Sequence, residues 1–434
     1  MDKAVSRTLI FRGWSIVSGF AMVALVPIFL TKEEQGYYFA FASILAIQIF
    51  FELGLSQVLV YRFASIGFYE SGDDSIKSVN QRKLLYGARL LYRFLAVIFF
   101  IVASIVGYKF FSTRPAVSVS WFLPWIVLVA TTSINLAQSV KLAYVEGVGE
   151  LAQVSLARLK SSIVGTGIFI ILLITGGRLW AACAIPIVNA VFLAIWINTH
   201  PASSFYRISR ANAKAPFLEI FSVWIREIFP MQWRISLSWM SGYFIFQLYT
   251  PIAFAKFGPV VAGKLGLVVS IMSSLLVVAT TFTSSLSPRL ARLHAAGDTD
   301  AFNRAFDASI RQSFICLVAL TQSATLLLLV LFYSSSQIGN RFLDPFNTWI
   351  YSLGTILLGV VSCMSIYLRS QQKEPLFFQS LITAVAMIPA LWIGSSASLT
   401  AMIMASLLVT CASAICVLLI YLESRRDLVS TVHL

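Results

Sequence analysis

Apolar runs long enough to cross a bilayer recur from one end of this chain to the other, and that recurrence restricts the fold more than any other feature. A spanning helix needs about 20 mostly apolar residues, because the hydrocarbon core is about 30 Å thick and a helix rises about 1.5 Å per residue. Such runs lie near residues 9–30, 38–61, 90–111, 121–143, 157–176, 179–198, 232–254, 262–285, 312–333, 347–368, 375–394 and 399–422. Lipid offers no hydrogen bonds, so each run must satisfy its own backbone, and a helix does so within one segment. The expected fold class is an all-α integral membrane protein with about twelve transmembrane helices. Charge content agrees. Only 12% of the 434 residues are charged, against about 25% in soluble chains, too few to coat a soluble surface.

The basic residues give these spans a direction. With the N-terminus placed in the cytoplasm, seven of the 32 Lys and Arg fall on the far side: Lys32, Lys109, Arg114, Arg178, Lys256, Lys264 and Arg341. The remainder sit in segments on the near side, as the positive-inside rule requires. Both termini are therefore expected in the cytoplasm. The net charge of +14 is topogenic on this reading. No dense basic and aromatic surface stretch appears, and no nucleic-acid partner is expected. Trp121, Trp125, Trp180, Trp349 and Trp392 near outer ends, and Trp196, Trp224 and Trp233 near inner ends, fit interfacial belts. Arg12 interrupts the first run, which continues to Leu30, so a retained helix is expected in place of a cleaved leader.

The chain reads as two halves. Residues 1–198 form a first six-helix lobe, 199–231 a cytoplasmic linker, and 232–434 a second six-helix lobe with a short tail. Within the linker, Phe217, Leu218, Phe221, Trp224, Ile225, Ile228 and Phe229 recur at helical spacing, which predicts an interfacial amphipathic helix. Gly36 precedes Arg62 by 26 residues, and Gly263 precedes Arg289 by the same interval. Tyr61-Arg62-Phe63-Ala64 then aligns with Pro288-Arg289-Leu290-Ala291. Six spans plus six in matching orientation imply a pseudo-twofold axis along the membrane normal.

Ionisable residues inside spans are costly, about 2.5–3.5 kcal/mol at the centre on insertion scales, and tend to face a cavity or a partner. Glu52 is the deepest. It fits either an ion pair holding the lobe together or a proton or sodium coupling site. Arg12 and Arg234 occupy like positions near the inner ends of the first and seventh spans. Each fits snorkelling to the interface or a central cavity. Guanidinium forks match phosphate oxygens, and one such charge pair at 4 Å is worth about 4 kcal/mol at an effective dielectric near 20. Around Arg234 the seventh span is unusually polar, with Gln232, Ser236, Ser238, Ser241, Tyr243 and Gln247. Lys141, near Asn135 and Gln138, and Lys264, opening the eighth span from the outer side, complete the candidates for a substrate cavity. No catalytic group, resident cofactor or metal is expected: the five cysteines lie scattered in apolar runs, and the histidines His200, His294 and His433 are far apart. Gly258 to Leu265 nearly matches a phosphate-binding loop, but Leu265 replaces the magnesium-binding hydroxyl and no strand is expected before it. Transport driven by ATP on this chain is therefore not expected.

Glu52-Leu53-Gly54-Leu55 resembles the acidic-Leu-Gly-Leu element of O-antigen and polysaccharide flippases, and Met231 to Phe244 resembles the start of the seventh helix of that family. The resemblance extends to span number and loop size along the whole chain. It implies membership of the superfamily of multidrug, oligosaccharidyl-lipid and polysaccharide exporters, two lobes around a cationic cavity, and alternating access. The implied cargo is an undecaprenyl-pyrophosphate-linked oligosaccharide crossing the bacterial inner membrane toward the periplasm. A glycan polymerase, chain-length machinery and membrane lipids would be its partners. Arg234 matches the family string directly, and Glu52 matches as a position without a defined role. Two alternatives remain on the sequence. One is a secondary exporter of small amphipathic compounds on the same fold. The other is a membrane glycan polymerase or glycosyltransferase, disfavoured by outer loops whose acids are only Glu33, Glu34 and Asp344.

Overall fold

In the computed structural model the described residues are 3–52, 54–69, 74–113, 119–199, 229–333, 339–371 and 376–430. Each of the twelve apolar runs falls on helix. In the first part of the chain these are α1 (Lys3–Phe29), α2 (Lys32–Leu45), α3 (Ile49–Glu52), α4 (Leu55–Tyr69), α5 (Asp74–Ser112), α6 (Phe122–Val145), α7 (Leu151–Ile174) and α8 (Ala181–Thr199). After the linker come α9 (Phe229–Phe246), α10 (Tyr249–Phe257), α11 (Pro259–Ala295), α12 (Thr299–Tyr333), α13 (Pro345–Ser370), α14 (Phe377–Ala397) and α15 (Leu399–Ser430). The linker helix expected around residues 217–229 lies, apart from Phe229, outside the described residues.

Among the described residues, nine helical stretches are long and apolar enough to span, and the bent pair α2–α3 and α4 makes a tenth. One of the nine, Phe122–Ile174, has 53 residues. At about 1.5 Å per residue it would be about 80 Å long, far more than a bilayer core. α6 ends at Val145, a π-helical turn follows, and Gly149 within it, at φ 96°, breaks the run before α7 begins, leaving two helices each long enough to cross. The chain is a multi-span membrane protein.

Two compact units emerge, Met1–Met240 and Ser241–Leu434. In the first, α1 packs on α7, α7 and α6 both pack on α8, and α5 lies along α6. Polar side chains stitch these contacts. Asn135 Nδ2 donates to the Pro186 carbonyl at 3.0 Å, Gln138 Nε2 to the Ala190 carbonyl at 3.0 Å, and Ser161 Oγ to Asn189 Oδ1 at 2.5 Å. Between apolar helices such bonds supply the attraction that lipid exposure removes, about 0.6 kcal/mol each. At one end of this unit, Tyr37, Phe41, Phe111, Trp121 and Trp125 pack ring against ring.

In the second unit α11 packs against α10, α12 and α13, while α15 packs against α13 and α14. The polar stretches 62–89 and 286–311 read in sequence as long connections, yet they are largely helical. α11 continues to Ala295 and α12 resumes at Thr299; α4 runs to Tyr69 and α5 starts at Asp74. Hydropathy reports the thickness of the bilayer, whereas a helix continues into water as long as its neighbours support it. α11 and α12, with 37 and 35 residues, exceed 50 Å. Their extensions bury Leu290, Phe302, Phe306, Tyr367 and Tyr421 in a core of their own. There Arg425 makes a bidentate pair with Asp307, at 2.9 and 2.7 Å, and donates to the Tyr421 hydroxyl at 2.7 Å.

Candidate functional site

Glu52 closes α3 at a break in the second span. A short 3₁₀ turn at Ala46–Gln48 precedes it, and Gly54 follows with φ 64°. That left-handed conformation costs other residues about 1–2 kcal/mol, which explains the glycine of the Glu52-Leu53-Gly54-Leu55 element. The span bends by 43° there. Broken helices within a membrane occur where backbone lines a cavity or is buried in protein. Both conditions apply. Glu52 Oε1 accepts from Ser56 Oγ at 2.6 Å, and the buried Tyr92 of α5 lies beside both residues. A cavity of about 200 Å³ opens next to them, walled by Glu52, Ser56, Gln57, Ser139, Glu146 and Arg158 among others. Its volume equals about seven waters at about 30 Å³ each. Within it Arg158 Nη2 pairs with Glu146 Oε1 at 2.6 Å.

Lys141 is half-buried on α6, flanked in sequence by Ser139, Leu142 and Ala143 of the cavity wall. Among the charges that bear on it are those of Arg89 and Arg93 of α5. These two arginines stand one helical turn apart on either side of Tyr92. Among the described residues of the first unit, Arg158 shares the cavity wall with Glu52 and Glu146, and Arg89 and Arg93 of α5 bear on Lys141 of α6. Sequence reasoning selected Glu52 and Lys141 and missed Arg89, Arg93, Glu146 and Arg158. The readable signal was an i, i+4 arginine pair on the same face as Tyr92 and Ala96. Asn135 and Gln138, expected to accompany Lys141 in a cavity, instead donate to carbonyls of α8.

Arg12 is exposed on α1. Arg234 and Gln232 sit in α9, and their side chains lie outside the described ones. On the same helix Ser236 is buried. In the second unit Ser241 and Tyr243 are buried. Gln247 is half-buried at the break between α9 and α10, where its amide still bonds the Tyr243 carbonyl at 2.8 Å. Lys264 is half-buried in the second turn of α11. The near-match to a phosphate-binding loop is the junction of α10 and α11: Gly258, at φ 87°, caps α11 and Pro259 opens it, with a helix, not a strand, before them. Among the described residues no three His, Cys, Asp or Glu side chains gather as a metal site.

No protein-family model and no curated protein matches this sequence. Solved structures do. An inward-facing multidrug resistance MATE family transporter of the MOP superfamily superposes with a TM-score of 0.68 at 16% identity, covering 99% of this chain and 100% of that one. The lipid II flippase MurJ in an inward closed conformation superposes with a TM-score of 0.66 at 14% identity, covering 95% of this chain and 86% of that one. This chain has the MOP-type fold. With so little identity, the MOP-type likeness concerns the path of the backbone, and the chemistry of the cargo must come from the chain's own side chains.

Proposed function

We propose that this protein is a flippase that moves an undecaprenyl-pyrophosphate-linked oligosaccharide, an O-antigen or similar repeat unit, from the cytoplasmic to the periplasmic leaflet of the bacterial inner membrane. Transport proceeds by alternating access, with both termini in the cytoplasm. The observation that carries this reading is the cationic character of the first unit where α5 meets α6, with Arg89 and Arg93 bearing on Lys141. A carrier for cationic amphipaths would need the opposite balance of buried charge. The resemblance of Met231 to Phe244 to polysaccharide flippases and the shared fold with a lipid II flippase support the same cargo class. In this reading Arg234, Arg12, Lys141 and Lys264 contact the pyrophosphate, Tyr243 and Gln247 contact sugar, and Glu52 couples transport to protons or sodium. A glycan polymerase and chain-length machinery receive the product.

The second reading is export of small amphipathic compounds, favoured by the likeness to a multidrug resistance transporter. Complementation separates the two. Expression in a flippase-null strain with a matching repeat unit should restore surface glycan, and Arg234→Ala should reduce it at equal expression. Failure with every repeat unit tested, together with raised drug tolerance, would favour the exporter. Glu52→Gln should abolish the dependence of transport on an ion gradient. Transport indifferent to that change removes Glu52 from coupling.

A further inference from the structure

Two breaks in the helices of the first unit meet at one cavity. The bend at Glu52 and Gly54 supplies Glu52, Ser56 and Gln57 to its wall. The π-helical turn Glu146–Glu150 and the helix after it supply Glu146 and Arg158. A glycine keys the two breaks together. A Cβ on Gly147 would come within 2.5 Å of the Phe63 Cβ and 2.9 Å of the Val60 carbonyl oxygen, so the turn lies directly on α4. Inside the cavity Arg158 Nη2 stands 2.6 Å from Glu146 Oε1. Among the described residues Glu52 has the Ser56 hydroxyl and no ion pair. Tyr92 of α5 lies beside it, Arg89 and Arg93 share that helix, Lys141 stands on α6, and Glu150 and Lys160 are exposed. Arg158 is the cation in the cavity wall itself.

One guanidinium and two carboxylates leave one negative charge. A proton or sodium ion on Glu52 makes the cavity neutral, and Arg158 then stays with Glu146. When that cation leaves, one carboxylate must do without a partner. The two are not equivalent. Glu52 lies within the second apolar run, where a lone charge is costly. Glu146 lies past the end of the fourth run, beside the exposed Val148, Gly149 and Glu150. The guanidinium is therefore worth more on Glu52 once Glu52 is ionised. Arginine keeps its charge and offers five N–H donors, so it changes acceptors without losing a proton, and the path between them is a polar cavity, not packed core. We propose that Arg158 is a counter-ion shared by the two carboxylates, and that it passes from Glu146 to Glu52 when the coupling cation leaves Glu52. The exchange replaces a tie between α7 and the π-turn with one between α7 and the bend of the second span. This deepens the coupling role given to Glu52 above, and rests on it for the transport step but not for the exchange.

The test uses the full-length protein in nanodiscs, without cargo. Infrared difference spectra follow the carbonyl band of protonated carboxyl groups across pH, with and without sodium. The band lost in Glu52→Gln belongs to Glu52. Thermal unfolding checks that each variant folds. Glu146→Gln leaves Arg158 no other acceptor in the cavity, so it should weaken proton binding at Glu52 about tenfold or more, the scale set by one opposite charge within about 4–6 Å. Arg158→Gln leaves Glu146 as a like charge and should strengthen proton binding at Glu52 by a similar factor. The double variant removes both charges and should return toward wild type, and Arg158→Lys should resemble wild type. Loss of the band on adding sodium at fixed pH identifies sodium as the coupling cation, and a band indifferent to sodium identifies the proton. A Glu52 band unmoved in folded Glu146→Gln and Arg158→Gln, the result for a pair that is only structural, would overturn the exchange. The coupling role fails separately: if Glu52→Gln leaves the gradient dependence of transport unchanged while these shifts occur, the exchange stands without it.

Discussion

Two charged clusters, one in each unit, show how differently a membrane protein can use arginine. In the second unit Arg425 is saturated. It has both oxygens of Asp307, the Tyr421 hydroxyl and a tyrosine ring 6.0 Å from the guanidinium carbon. Around it Phe302, Phe306 and Tyr367 form an apolar collar. In the first unit Arg89 and Arg93 of α5 bear on another cation, Lys141 of α6. Both clusters involve helices of similar kind, and both would count equally in a tally of positive residues. The cluster at Arg425 closes on itself, as a brace between α12 and α15 should. The cluster at Lys141 brings like charges together where α5 packs on α6. The lesson is that the sign of a charge's neighbours says more about its use than the number of charges.

Substitutions sharpen that contrast, from the largest expected effect to the smallest. Lys141→Gln should reduce flipping of a lipid pyrophosphate about tenfold, the scale of one charge-assisted contact, with little change in thermal stability. A rate near wild type would place Lys141 with the topogenic charges. Gly54→Ala should cost about 1–2 kcal/mol, because alanine disfavours the left-handed backbone at φ 64°, and should also displace Glu52. A variant with unchanged melting and unchanged transport would show that the break in the second span is dispensable. Asp307→Asn should lower stability by about 0.5–1 kcal/mol, since the pair is partly exposed and water screens it, and should leave pyrophosphate binding alone. If binding falls with Asp307→Asn, the two clusters are not separate in role.

The spans were legible in the sequence because hydropathy and helical length answer to the same bilayer. Length beyond the bilayer was not legible: residues 286–295 and 299–311 read as a polar connection, and only the aromatic core of Phe302, Phe306, Tyr367 and Tyr421 reveals why helix persists there. Glu52 was legible as a deep carboxylate, and Gly54 as part of a motif, but the bend they share depends on the three-dimensional path. Arg89 and Arg93 were invisible as a site for a different reason. In the sequence they lie at the inner edge of a span, where arginines serve orientation, and Lys141 is about 50 residues away. Only the packing of α5 on α6 converts two topogenic charges and one half-buried lysine into a group. Asn135 and Gln138 show the reverse: polar residues that pointed to a cavity turn out to bond the backbone of α8.

The most direct test of the whole account is reconstitution. Purified protein in proteoliposomes, given a polyprenyl-pyrophosphate oligosaccharide labelled on one leaflet, is followed for appearance of the label on the other. Transfer above protein-free vesicles is expected, slowed about tenfold or more by Lys141→Gln. No transfer above protein-free vesicles, in a preparation that exports small amphipathic compounds instead, would contradict it.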